Sequence, residues 1–317
     1  MLNNQDFTRE RSKYLGGSDL GAILGLSKYR TAVDVWLEKT GKQCSERESL
    51  PIRFGRFAEA FVAQEYAGLT GHHLVHHEDA VAHSHYTYLQ GHIDRFVHPR
   101  DEPLFDAKGK CLAQALLECK TANPFAKQEW GDAGSDQVPL PYLIQCAWYL
   151  LLTQVQSCDV AVLFGNADLR IYQIPRDPEL EALLLEHAIG FWEDHVLKDI
   201  PPPAKCEADY QHLFARGTKR MIDASPEIVK LIQELLRVQE QIEQQEQQVS
   251  QMKQRIMGVM EDAEILHLDG KVLASWKAPK PSLRLDTKRL TEEHPEWALP
   301  YQVPVQPSRR LLIKTTI

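Results

Sequence analysis

Gly91-His92-Ile93-Asp94-Arg95 and Leu116-Leu117-Glu118-Cys119-Lys120 are the two stretches on which the reading of this chain turns. Glu118 and Lys120 are two positions apart, so on a strand both side chains leave the same face. Asp94, on a preceding strand, can pair alongside and place two carboxylates and a lysine at one edge of a sheet. In a structural core this is costly, because the carboxylates repel and burial disfavours their charged forms. A hard cation such as Mg²⁺ resolves the cost by taking carboxylate oxygens, a backbone carbonyl and water. It also lowers the pKa of a bound water and neutralises charge on a phosphate, while a neighbouring lysine positions the water or steadies the developing charge. Taken alone, Glu-x-Lys is common on exposed strands, and an ordinary cross-strand pair beside an unrelated aspartate is the competing interpretation.

Other residues join the first interpretation. Gln145 and Tyr149 are i,i+4 within 140–155, a stretch apolar nearly all round, so both face one side of a buried helix. Glu59 borders the apolar stripe Phe54, Ala58, Phe61 and Val62 of a helix over 54–68. Arg11 and Ser18 flank the Gly16-Gly17 turn, with Ser18 a good N-cap for a short helix carrying Leu20, Ile23 and Leu24. That turn can receive an anion, or be ordinary capping. It is not a P-loop, since GxxxxGK[ST] is absent. Histidines 72, 73, 76, 77, 83, 85 and 92 could bind a transition metal. Their spacing puts no ligand set on one face, and solvated loop and strand ends are expected instead.

Along the chain, a second short helix is expected over 31–41, strands across 72–120 with turns near Pro99 and Gly109, and a hairpin over 159–174 turning near Gly165-Asn166. Helix resumes over 177–198. Helices, then strands, then helix, then strands predicts an α/β sandwich around a mixed central sheet. The interval between Asp94 and Glu118 is long for a tight hairpin and predicts an inserted loop. Pro201-Pro202-Pro203 cannot continue a helix, so the domain boundary is placed there: 1–205 as one domain and 206–317 as an extension. Ser225-Pro226-Glu227 opens a long helix. From 231 to 259 its apolar positions alternate by four and three, broken only by Gln245, which fits either a helix packed in cis or a coiled coil between chains. A β-hairpin turning at Asp269-Gly270 follows, and residues 308–317 are the last strand candidate.

The chain has 317 residues, about two domains' worth, with 43% hydrophobic and 25% charged residues. This is globular composition and excludes a disordered chain. No apolar run approaches the ~20 residues that span a bilayer, and the N-terminus has no apolar core of a secretory signal, so a cytoplasmic protein is expected. The six cysteines, Cys44 among them, have no CxxC pair, which argues against a zinc ribbon or an iron–sulfur cluster and for reduced, structural thiols. Net charge is −8, yet residues 274–317 carry +4 against −12 for the rest. An acidic chain can still act on nucleic acid when bound cations restore the charge of its carboxylates.

Taken in order, GGSDLGAILGLSKYRTAVDVWLEKTGK, FGRFAEAFVAQEY, GHIDR, LLECKTA and PYLIQCAWYLLLT resemble the YqaJ viral recombinase family, related to phage lambda exonuclease within the PD-(D/E)XK nuclease superfamily. The resemblance covers about residues 9–155. It implies a PD-(D/E)XK nuclease core extended by the long helix and hairpin. It implies that Asp94 and Glu118 hold metal with the Cys119 carbonyl, that Glu59 approaches a second ion, and that Lys120 is the catalytic lysine. Gln145 and Tyr149 match a QxxxY motif, and Arg11 and Ser18 resemble residues that hold a 5′-terminal phosphate. Two Mg²⁺ (or Mn²⁺) ions, double-stranded DNA, a single-strand annealing partner, a homo-oligomer such as a trimer and a phage or prophage origin are further implications. The expected activity is 5′-to-3′ digestion of linear duplexes leaving 3′ overhangs for recombination. A structure- or sequence-specific endonuclease of the same fold and a non-catalytic DNA-binding or assembly module are the alternatives. A Cas-type nuclease with an iron–sulfur cluster has the cysteine spacing against it.

Overall fold

The computed structural model describes residues 11–42, 49–303 and 308–314. It divides into two units, one up to Leu213 and one from Phe214 onward. The first holds helices α1 (Gly17–Ile23), α2 (Ala32–Lys39) and α3 (Leu50–Thr70), then strands β1 (Leu74–Val75), β2 (Val81–Ala82), β3 (Gln90–Gly91), β4 (Arg95–Val97) and β5 (Ala115–Ala122). Helix α4 (Leu140–Thr153), strands β6 (Ser157–Phe164) and β7 (Asp168–Pro175), and helices α5 (Pro178–Phe191) and α6 (Glu207–Leu213) complete it. The central sheet runs β1-β4-β5-β6-β7, antiparallel throughout except for the parallel pair β5–β6. Helix α4 supplies the crossover a parallel pair needs. This is the mixed sheet flanked by helices that the order of elements predicts.

The two faces of β5 are covered differently. Leu117 and Cys119 pack with Val62, Ala63 and Tyr66 of α3, while Leu116 joins the larger core with Ile144, Trp148 and Leu150 of α4. Because side chains alternate along a strand, Glu118 and Lys120 share the face of Leu116 and look toward α4. Among the described residues, the buried row on α3 is Ala58, Val62, Ala63 and Tyr66. Phe54 and Phe61, expected in its apolar stripe, stand about half exposed. Phe61 is one residue off the 58–62–66 row, a rotation of about 100° on a helix of 3.6 residues per turn, and Phe54 lies a turn short of the packed stretch.

Three further expectations are corrected. Ser18 is not the N-cap of α1: Gly16 is, and Asp19 accepts the Gly16 N–H at 3.0 Å, which frees the Ser18 hydroxyl. The first unit extends beyond 205, because Asp209 of α6 is buried and accepts the Thr31 hydroxyl at 2.6 Å and the Lys205 N–H at 2.7 Å. Residues 308–314 form no strand, and 315–317 lie outside the described residues. The interval between β4 and β5 does contain an inserted loop, pinched by a bridge between Phe105 and Cys111. Cys44 lies outside the described residues. The other five cysteines are free thiols, four of them buried.

In the second unit, Ser225 caps α7 (Pro226–Met260), a helix of 35 residues. Its seam residues Leu231, Leu235, Val238, Ile242, Val249, Met252, Ile256 and Val259 are 41–76% exposed. Packing in cis on its own unit is therefore not what the described residues show. Strands β8 (Ile265–Leu268) and β9 (Lys271–Ser275) form the expected hairpin, with Asp269 and Gly270 both at positive φ. Helices α8 (Thr287–Glu293) and α9 (Pro295–Ala298) follow.

Gly91, where the chain passes under α4, has no room for a side chain: a Cβ would meet Tyr149 and Leu152 at 2.9 Å. Gly91→Ala is expected to destabilise the first unit by about 1–3 kcal/mol, the usual cost of overpacking. Urea unfolding of the full chain, followed through its tryptophans, checks this.

Candidate active site

Asp94 sits in the bend that enters β4, one residue before the strand itself. Register aligns Arg95 with Leu117, which brings Asp94 next to Glu118. The Cys119 N–H donates to Asp94 Oδ2 at 2.8 Å, fixing this carboxylate to the strand that carries the other. The Glu118 side chain is buried. Its Oε1 accepts from Lys120 Nζ and, at 2.7 Å, from Gln145 Nε2. Gln145 Oε1 accepts from Lys120 at 3.1 Å, and Gln145 Nε2 also donates to the Tyr149 hydroxyl at 2.8 Å. One amide on α4 thus ties together the carboxylate, the lysine and the tyrosine that the spacing predicted.

The charges in this corner are strongly perturbed. Burial, then the neighbouring Glu118, pushes Asp94 well above the usual carboxylate range. Burial raises Glu118 too, against the opposing pull of Lys120. Burial by itself would lower Lys120, but Glu118 and Asp94 outweigh it and raise it, so this side chain stays an ammonium. Burial raises the Tyr149 phenol well above its ordinary value, with Glu118 and Asp94 adding to it. The Cys119 thiol is likewise held neutral by burial and the two carboxylates.

These residues fit a hard cation. Glu118 Oε2 is buried and, among the described residues, has no hydrogen-bond partner. Asp94 and Glu118 both carry charge that burial penalises and a divalent ion would relieve. Among the described residues, no three His, Cys, Asp or Glu side chains are arranged to hold a metal. Two carboxylates and the Cys119 carbonyl, with water and substrate phosphate in the remaining positions, suit Mg²⁺, which keeps several waters. Glu59, expected to approach a second ion, lines the same cleft but is paired with Arg95 at 2.7 Å. Of the histidines, His72 bonds the Tyr66 hydroxyl, His73 the His98 carbonyl, and His77 packs on Phe96 and Phe105.

The cleft has a volume of about 480 Å³ and contains Asp94, Glu118, Lys120, Gln145 and Tyr149 together with Arg11 and Ser18. Arg11 Nη2 donates to the Ser18 hydroxyl at 2.8 Å. Gly17 lets this turn approach α4, since a Cβ there would lie 3.2 Å from both Gln145 and Trp148. The cleft is also lined by His92, which i,i+2 spacing puts near Asp94, and by Tyr14, Ile52, Arg56, Thr121 and Tyr142, which the sequence did not assign to the site. Arg56 had a signal in its i−3 relation to Glu59, and Tyr142 in its i−3 relation to Gln145. Tyr142 lies one turn before Gln145, and the Lys120 ammonium stands 5.2 Å from its ring centre.

The cleft thus joins two buried carboxylates, a lysine, an amide and a phenol beside a mixed sheet. Comparison places the chain in a family: the YqaJ-like viral recombinase domain matches residues 6–156. Over 303 residues the chain is 30% identical to the uncharacterized protein YqaJ of Bacillus subtilis strain 168, covering 93% of this chain and 89% of that one. The chain belongs to the YqaJ-like viral recombinase family. It is also similar to the crystal structure of an alkaline exonuclease from Laribacter hongkongensis, at 14% identity and a TM-score of 0.49, over 62% of this chain and 94% of that one. A phage-related exonuclease from Haemophilus somnus 129PT is similar at 13% identity and a TM-score of 0.43, over 61% and 99% of the two chains. Among the described residues no helix is long and apolar enough to cross a membrane.

The carboxylate pair generates a prediction that needs no turnover. Mg²⁺ at about 100 times its Kd is expected to stabilise the wild-type chain by roughly 2.7 kcal/mol and to leave Asp94→Asn unchanged in thermal unfolding. Without metal, Asp94→Asn is expected to melt higher than wild type, by about 2–4 °C for each kcal/mol of relieved charge. An equal Mg²⁺ shift in both proteins would remove Asp94 from the ligand set.

Proposed function

We propose that this protein is a metal-dependent 5′-to-3′ exonuclease acting on linear double-stranded DNA and leaving 3′ single-stranded overhangs for phage-type recombination by strand annealing. The observation that carries the proposal is the buried pair Asp94 and Glu118, with Glu118 Oε2 open, beside a lysine held as an ammonium. Family membership supports the recombination setting.

Asp94, Glu118 and the Cys119 carbonyl would hold Mg²⁺ or Mn²⁺. When bound, the metal supplies an acidified water and charge neutralisation at the phosphate. Lys120 cannot serve as a base while it is charged. Its ammonium donates hydrogen bonds and stabilises negative charge as it develops on the phosphate oxygens. Gln145 keeps Lys120 and Glu118 in register, and Tyr149, a neutral phenol, holds the far side of that amide. Arg11 and Ser18 would receive the 5′-terminal phosphate, the guanidinium through paired N–H donors and the hydroxyl as a third. An end held there while the next phosphodiester reaches Asp94 and Glu118 gives strand polarity. A single-strand annealing protein as partner and a homo-oligomer, such as a trimer, complete the proposal.

Digestion of a linear duplex with one 5′-phosphorylated end and separately labelled strands tests it. The expected result is Mg²⁺-dependent loss of the phosphorylated strand from its 5′ end, suppressed by EDTA, with closed circular DNA spared. Lys120→Ala is expected to lower kcat by about 10²–10³, the usual loss for a donor at a developing anion. Cleavage of the circle would identify an endonuclease instead. DNA binding with no metal-dependent cleavage would identify a binding module.

A further inference from the structure

Behind the Arg11–Ser18 end of the cleft lies a buried ion network that none of the roles above uses. The side chains of Asp19 and Lys39 are both fully buried and meet at 2.9 Å. Asp19 also accepts the Gly16 N–H at 3.0 Å and pairs with Arg30 at 3.0 Å, and Arg30 in turn pairs with Glu38 at 2.8 Å. Lys39 also donates to the backbone carbonyl of Arg11 at 2.7 Å and to Glu38 Oε1 at 3.5 Å, and its ammonium stands 5.7 Å from the Tyr14 ring centre.

Burying a lysine is expensive, and replacing a buried ion pair by apolar residues is often no worse for stability. At this place the ammonium supplies something an apolar side chain cannot: a donor aimed at one carbonyl. That carbonyl belongs to the residue whose guanidinium donates to Ser18. Arg11, Tyr14, Gly16 and Ser18 line the cleft, and Lys39 does not. Lys39 therefore holds Arg11 from behind while the guanidinium of Arg11 faces the cleft. Through Asp19 the same network also fixes the Gly16 N–H, at the other end of the turn. Recognition of a phosphate by arginine depends on the placement of its planar fork, and an error of about 1 Å in a positioning group can cost on the order of 10² in rate.

We infer that Lys39, paired with Asp19 and bonded to the Arg11 carbonyl, is a positioning residue for 5′-phosphate recognition. It sets Arg11 against Ser18 and so determines the preference for a phosphorylated end. The inference rests on the end-recognition part of the function proposed above.

Two linear duplexes that differ only in a 5′-phosphate or a 5′-hydroxyl are digested with Mg²⁺ by the full-length wild type, Lys39→Met and Lys39→Gln. Methionine keeps the length and removes the donor, and Asp19 retains Arg30 and the Gly16 N–H. The wild type is expected to prefer the phosphorylated end. In Lys39→Met, KM for that end is expected to rise at least tenfold with kcat within twofold, and digestion of the hydroxyl end is expected to stay unchanged. Lys39→Gln, too short to serve Asp19 and the Arg11 carbonyl together, is expected to lose at least threefold of the preference. Equal slowing on both ends, or an undiminished preference, would overturn the role of Lys39 and reduce it to a structural ion pair. A wild type with no preference for phosphate would overturn end recognition by Arg11 and Ser18, and the inference with it. Should Lys39→Met lose cooperative thermal unfolding, Lys39→Gln decides: an undiminished preference there overturns the inference.

Discussion

Two carboxylates forced together away from water are the constraint around which the first unit is arranged. Asp94 and Glu118 repel each other, and burial makes their charges dearer still. Three short-range interactions keep the pair in place: the Cys119 N–H on Asp94, the Lys120 ammonium on Glu118, and the Gln145 amide across both Glu118 and Lys120. None of these neutralises the corner completely, since Glu118 Oε2 is left open. A fold that kept such a corner for stability alone would have gained by closing it with apolar side chains.

The rest of the architecture serves that corner. The parallel pairing of β5 with β6 requires a crossover, and α4 is that crossover, returning Gln145 and Tyr149 over the face that carries Glu118 and Lys120. Helix α3 seals the opposite face with Val62, Ala63 and Tyr66. Two glycines, at 17 and 91, let backbone lie against α4: a Cβ at 17 would crowd its side chains, and one at 91 would force Tyr149 and Leu152 to shift. The site is therefore set by how closely α4 can approach, and the core under it, from Trp148 to Leu116, holds that distance.

What the sequence revealed followed from local periodicity. Alternation in β5 placed Glu118 and Lys120 on one face, and i,i+4 spacing in α4 placed Gln145 with Tyr149. The hairpin turns at Gly165 and at Asp269-Gly270 have their own chemistry and were equally plain. What escaped were pairings over long separations in the chain or choices among equivalent faces. Ser18 is a good capping residue, but Gly16 takes the N-cap position and Asp19, buried against Lys39, accepts its N–H. Arg95 capturing Glu59 joins residues 36 apart, and no window-sized pattern contains it. Phe54 and Phe61 looked like core because they are large and apolar, whereas the sheet accepts only the row through Ala58, Val62 and Tyr66. Asp209 carried the first unit past the prolines for the same reason, through a bond to Thr31.

The crossover has a consequence during synthesis. A chain emerging from the ribosome presents Asp94, Glu118 and Lys120 well before Gln145 and Tyr149, and before β6, the strand against which β5 is fixed. Until that later segment arrives, β5 is the edge of a partial sheet, and its Glu118 carboxylate is open to water. Domains fold as units in the order of synthesis, and non-local pairings close late. The buried corner thus assembles only once the polypeptide has passed the sixth strand.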